Sequence, residues 1–149
     1  LKKHRLSFDL QLYPEQMTES ADFLRDFPEV PVVIDHAGCP YDQSESGLQL
    51  WMNGLASLAE LPNLHIKLSG FGMYDKDWSS ESTQLIFDTI LENFSSNRIM
   101  WGSNFPVERL MNPYGFCVAQ LLKWLAPLSE EEKNRVASET AKNFYRIGE

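Results

Sequence analysis

Four short apolar runs alternate along the chain with stretches whose apolar residues recur every three or four positions, and this alternation restricts the fold more than anything else in the sequence. In the first run, LSFDLQLY (6–13), Phe8, Leu10 and Leu12 alternate with Asp9, Gln11 and Tyr13, the period of a strand. The second, VPVVIDHAG (30–38), holds three consecutive β-branched residues, which suit a strand covered on both faces. LHIKLSGFG (64–72) and RIMWG (98–102) are the third and fourth. Helical spacing fills 14–27, 47–61, 81–94, 115–128 and 129–147. Pro14 suits a first helical position, and Ser129 with Glu132 three residues on fits a capping box. The predicted order is β-α-β-α-β-α-β-α-α. Strands alternating with helices imply a parallel sheet with right-handed crossovers. A closed barrel of eight such units takes about 250 residues. Four units in 149 residues therefore predict half a barrel or a small open sheet, as a single domain over 1–149.

Each run ends in residues that a purely structural strand does not need. The ends are Gln11 and Tyr13; Asp35 and His36; Lys67 and Ser69; and Ser103 and Asn104. In a parallel sheet these ends converge on one rim, where α/β enzymes place reacting groups. Strand alternation predicts one face for Val32, Ile34 and His36 and one for Met100, Gly102 and Asn104, with Ile34 and Met100 on the inner face. Each residue also has a plainer reading. His36 suits a hydrogen-bonded cap, Lys67 a stem packed inward with its ammonium at the rim, and Ser103-Asn104 ordinary turn chemistry. His4 and His65 read as surface or packing residues, and Trp51, Met52, Leu55 and Leu58 as a core stripe. FGMYDKDWSS (71–80) reads either as a loop anchored by its aromatics or as a lid.

A net charge of −8 speaks against nonspecific binding to nucleic acid or anionic membranes, because neutralising phosphates takes clustered Lys and Arg. No apolar run approaches the roughly 20 residues that span a bilayer. Cys39 and Cys117 form no CxxC or zinc pattern. These features predict a cytoplasmic protein with two free thiols. The start at Leu1 and the count of units predict a piece of something longer.

Taken together, LSFDLQLYPEQ, VVIDHAG, IKLSGFGM, RIMWGSNFPVE and the terminal AKNFYRI resemble the amidohydrolase-related proteins of the metal-dependent hydrolase superfamily. Within them they are similar to the branch that hydrolyses sugar lactones and dicarboxylate lactones. The resemblance implies a (β/α)₈ TIM barrel of which this chain is the carboxyl-terminal half, strands five to eight. The His-x-His pair of the first strand would lie in the other half; His4, His36 and His65 are isolated. His36 matches the histidine ending strand six. Asn104 matches the end of strand eight, where many members carry an aspartate, and Tyr13 lies near the strand-five histidine of metal-binding relatives.

These matches imply a hydrolase for a small-molecule substrate, a lactone or similar cyclic ester, with His36 and Asn104 as the catalytic pair. Gln11, Tyr13, Lys67 and Ser69 are the implied substrate-binding residues. Asn104 cannot act as a base near neutrality, and its amide oxygen is a weaker metal ligand than a carboxylate. No metal cofactor is therefore expected, although a divalent ion remains compatible with the family. Without its other half the chain is expected to be inactive. A half-barrel would expose strand edges and an apolar inner face, so the partners expected are the missing half or a second copy. The alternative function is a noncatalytic, self-associating module.

Overall fold

The β-branched triplet Val32-Val33-Ile34 lies inside the sheet with all three side chains buried. A computed structural model describes residues 1–148 of the chain. Its four strands are β1 (Phe8–Leu10), β2 (Val32–Ile34), β3 (Leu64–Leu68) and β4 (Ile99–Trp101). They pair in sequential order, every pair parallel, with Phe8, Val32 and Leu64 level across the first three strands and Ile66 level with Ile99 across the last two. The helices are α1 (Met17–Leu24), α2 (Glu45–Ala59), α3 (Gln84–Phe94), α4 (Tyr114–Leu125), α5 (Glu130–Asn134) and α6 (Thr140–Tyr145). A π-helical turn, Arg135–Glu139, joins α5 to α6. The strands are shorter than the apolar runs, because each run leaves the ladder at its polar end. The predicted capping box forms: Ser129 Oγ accepts from the Glu132 N–H, and the Glu132 carboxylate accepts from the Ser129 N–H.

The main core lies between the sheet and the helices. Val32, Ile34, Leu64, Ile66, Leu68 and Ile99 meet Trp51, Leu55, Leu58, Phe87, Ile90 and Trp124 there. Ile34 therefore faces the helices, contrary to the expectation that it shares the inner face with Met100. The inner face carries Val33 and Met100 instead, and Phe144 of α6 packs on both. Three adjacent β-branched residues, all buried, carry no polar marker of which face is which, so the phase of the strand was not fixed by the apolar pattern. The inner face also has a partner within the chain, since Ala141, Phe144 and Tyr145 cover part of it.

The 71–80 segment is anchored by its aromatics. Phe71 and Trp78 are buried, with ring centroids 5.0 and 5.6 Å from that of Trp124. Trp124 donates its indole N–H to the Ser80 carbonyl at 3.2 Å. Only the middle of the loop, Met73 in particular, is exposed.

Candidate active site

At the end of β2 the chain enters a run of four left-handed residues: His36 (φ 55°), Ala37 (φ 55°), Gly38 (φ 68°) and Cys39 (φ 49°). Glycine tolerates this region, but for other residues it costs on the order of 1 kcal/mol or more each. Several contacts hold the turn. The Trp51 indole donates to the Ala37 carbonyl at 2.8 Å, and the Gly38 and Cys39 N–H groups donate to the carbonyls of Asp35 and His36. Gly38 is required for space as well as for φ, since a Cβ there would lie 2.2 Å from Met17 Cε. The turn lifts the His36 imidazole out of the strand's alternation and lays it on Gly70, where a Cβ would come within 2.4 Å of Nδ1. Ser69 Oγ is 3.0 Å from His36 Nδ1, which leaves Nε2 as the nitrogen free for other partners. Burial pushes the imidazole below its ordinary range; Lys67 adds to that, while Asp35 and Glu108 oppose it. His36 is thus held neutral near pH 7.

His36 opens on a cavity of about 480 Å³ that is also lined by Gln11, Tyr13, Glu15, Cys39, Tyr41, Met73 and Tyr74. The structure therefore brings Gln11, Tyr13 and His36 together. Ser69 is buried and steadies His36 from behind. Asn104 lies beyond the cavity lining, on the loop after β4, in a left-handed conformation (φ 55°) that asparagine tolerates well. Its Nδ2 is buried with no hydrogen-bond partner.

Lys67 points to the inner face. Its Nζ lies 2.7 Å from Asp9 Oδ2 and 2.8 Å from Asp35 Oδ1. Burial works against its charge, but the two carboxylates and the Tyr145 hydroxyl outweigh it and raise the ammonium above its ordinary range. Tyr145 donates to Asp9 Oδ2 at 2.7 Å, and burial pushes its phenol up to about 12. This cluster ties three strands to α6.

Sequence reading missed Glu15 and Tyr41, which pair through the Tyr41 hydroxyl on the cavity wall, and Tyr13 and Tyr41, which meet edge to face at 5.7 Å. It also missed Glu108. The one signal for that residue was a carboxylate directly after Pro106-Val107, in a segment otherwise set by turn chemistry.

His36 offers one ring nitrogen and Asn104 an amide, and the described residues contain no group of three or more His, Cys, Asp or Glu able to hold an ion. These residues alone do not fit the three-ligand sites of catalytic zinc.

Parallel strands in sequential order, helices covering one face and polar residues gathered at the carboxyl ends define half of a TIM barrel. The chain belongs to the amidohydrolase family, whose model matches residues 1–147. It is 35% identical over 147 residues to an uncharacterized protein of Sinorhizobium fredii, covering 99% of this chain and 49% of that one. It is 29% identical to an L-fucono-1,5-lactonase of Burkholderia ambifaria, covering 97% of this chain and 51% of that one. An amidohydrolase of Burkholderia multivorans, solved with bound zinc, superposes with a TM-score of 0.90 at 26% identity, covering 98% of this chain and 54% of that one. The chain thus spans about half the length of the curated relatives it matches. No helix among the described residues is long and apolar enough to cross a membrane.

Proposed function

We propose that the complete barrel carrying this chain as its carboxyl-terminal half hydrolyses a lactone or similar cyclic ester at the His36 rim. The observation that carries this is the strained left-handed turn, which holds a neutral imidazole at a cavity edge with one nitrogen fixed by Ser69 and the other free. Strain of this kind clusters at functional sites. Water adds to the ring carbonyl carbon as His36 Nε2 takes its proton. The ring C–O bond then breaks, and the proton passes to the departing oxygen to leave a hydroxy acid. Asn104 stands behind the lining, and its otherwise unpartnered amide N–H serves to orient the attacking water and not to bind the substrate directly; Gln11 and Tyr13 orient the substrate from the wall. The lactonase name of one relative supports the choice of substrate. The donor set of this half does not by itself make a zinc site.

The test uses the protein carrying the whole barrel, with hydrolysis followed with and without a chelator. Asn104→Ala is expected to slow turnover about 10²-fold, the scale for losing one positioning hydrogen bond. Asn104→Asp is expected to leave activity unchanged or lower it. Strong chelator sensitivity of the unmodified enzyme would sink the metal-independent reading.

One observation favours the second function, a self-associating module: β1 is an edge strand whose Phe8 is exposed, next to exposed Leu1, Leu6, Phe23 and Phe27. Isolated, the 149-residue chain is expected to dimerise or aggregate through this edge. A monodisperse monomer in sedimentation at tens of micromolar, roughly the range where exposed edges cause association, would count against that.

A further inference from the structure

Glu108 is 1% exposed, yet it forms no ion pair among the described residues. Its Oε1 accepts three hydrogen bonds: from the Gly72 N–H at 3.2 Å, the Trp78 indole N–H at 3.1 Å and Asn112 Nδ2 at 3.4 Å. Its Oε2 is buried with no partner. A buried carboxylate without a cation is costly unless hydrogen bonds make up for it, and here only one of its two oxygens is satisfied. For stability alone an apolar side chain would serve at such a position. The donors show what the charge does instead. Gly72 and Trp78 flank Met73 and Tyr74, the two residues that the 71–80 loop contributes to the cavity. Gly72 is what lets the carboxylate in, since a Cβ there would lie 2.4 Å from Oε1. On the other side, the Glu108 N–H donates to the Asn104 carbonyl at 2.9 Å, so the same residue is fastened to the loop after β4.

We propose that Glu108 is a positioning residue that clamps the 71–80 loop to the loop after β4 and so holds the Tyr74 wall of the cavity and Asn104 at one spacing. The charge matters as well as the shape. A carboxylate oxygen can accept from three donors at once and bonds them more strongly than a neutral group does. A glutamine keeps one acceptor oxygen but places two N–H donors where Oε2 now sits.

The proposal rests on the lactone-hydrolase reading only in its kinetic arm; hydrogen exchange reads the clamp directly. Glu108→Ala and Glu108→Gln are made in the protein carrying the whole barrel. In Glu108→Ala, exchange at the Gly72 amide and across 71–78 is expected to quicken at least tenfold, while the amides of β2 and β3 keep their protection. In the kinetic arm kcat/KM is expected to fall about 10²-fold, the cost of an ångström-scale misplacement. Glu108→Gln is expected to lie between Glu108→Ala and the unmodified protein in both arms, and it carries the test if the alanine variant does not fold. Unchanged exchange over 71–78, or exchange that quickens equally in all four strands, would overturn the clamp. If the unmodified protein hydrolyses no lactone, the functional reading fails and the exchange result still decides the clamp.

Discussion

Replacing His36 with alanine is expected to lower kcat/KM for lactone hydrolysis by about 10²- to 10⁴-fold, the usual range for a positioned general base. The loss should be close to this full range because no other imidazole of this chain lines the cavity. Folding should survive the change: the residue is only partly buried, and alanine already sits at φ 55° next to it. The pH profile gives a second arm. Burial lowers the His36 pKa, so the neutral, proton-accepting form persists below the ordinary histidine value of about 6.5, and the acid limb of kcat/KM should lie below that value. A limb at or above it would mean that another group is the base. The same burial costs stability in acid. A folded-state pKa below the unfolded one means the unfolded chain binds more protons between the two values. Stability then rises with pH across that window and is lost as the pH falls through it. His65, also lowered by burial, adds to the effect. The urea midpoint should therefore drop as the pH goes below about 6.5.

The architecture was legible because it rests on local signals. The alternation of runs, the capping box at Ser129 and the polar strand ends are each written within a few residues, and the parallel sheet in sequential order follows from them. The facing of β2 was not legible. A three-residue strand buried on both sides has no polar member to mark its phase, so Ile34 and Val33 were interchangeable on pattern alone. The turn at His36 was hidden for a related reason. Of its four left-handed residues only Gly38 is of a type that announces such a backbone; His36, Ala37 and Cys39 are held there by tertiary contacts such as the Trp51 indole bond. Trp51 lies in the core, as its place in the helical stripe predicts, but its N–H carries the added role. Lys67 shows the limit at long range. Its partners Asp9 and Asp35 lie 58 and 32 residues earlier, and only the register of three neighbouring strands brings them together. The sequence shows a lysine at a strand end and nothing of the two carboxylates that its ammonium meets.

Arg98 read as no more than the start of a strand, and its removal is expected to cost more stability than any other surface-accessible change in the chain. Its guanidinium donates to five backbone carbonyls and to no carboxylate. Nε reaches the Phe94 carbonyl at 3.2 Å, and one terminal nitrogen reaches those of Ala59, Leu61 and Leu64 at 3.0, 3.1 and 3.4 Å. The other terminal nitrogen reaches the Asn93 carbonyl at 3.1 Å. These oxygens belong to the carboxyl ends of α2 and α3, to Leu61 just after α2 and to the first residue of β3, so one side chain caps two helices and fastens both to the sheet. The last carbonyls of a helix carry the negative end of its dipole, which suits a cation placed there. Arg98→Met keeps much of the apolar stem and removes every donor. It should lower unfolding stability by about 3–4 kcal/mol, roughly two charge-assisted hydrogen bonds counted in full, with water satisfying the remaining carbonyls. Arg98→Lys should recover about half of that, since an ammonium lacks the planar fork that spans both helix ends. The check is the urea midpoint at unchanged m-value; a shift of Arg98→Met within about 0.5 kcal/mol, the ordinary range of surface substitutions, would show that the five bonds carry no net stability. Arg98 sits at the amino-terminal ends of the strands, opposite the His36 rim. In barrels of this kind that side serves stability and the other chemistry. Below its lowered melting temperature, therefore, Arg98→Met should keep its turnover in the complete protein, whereas His36→Ala should keep its melting temperature and lose its turnover.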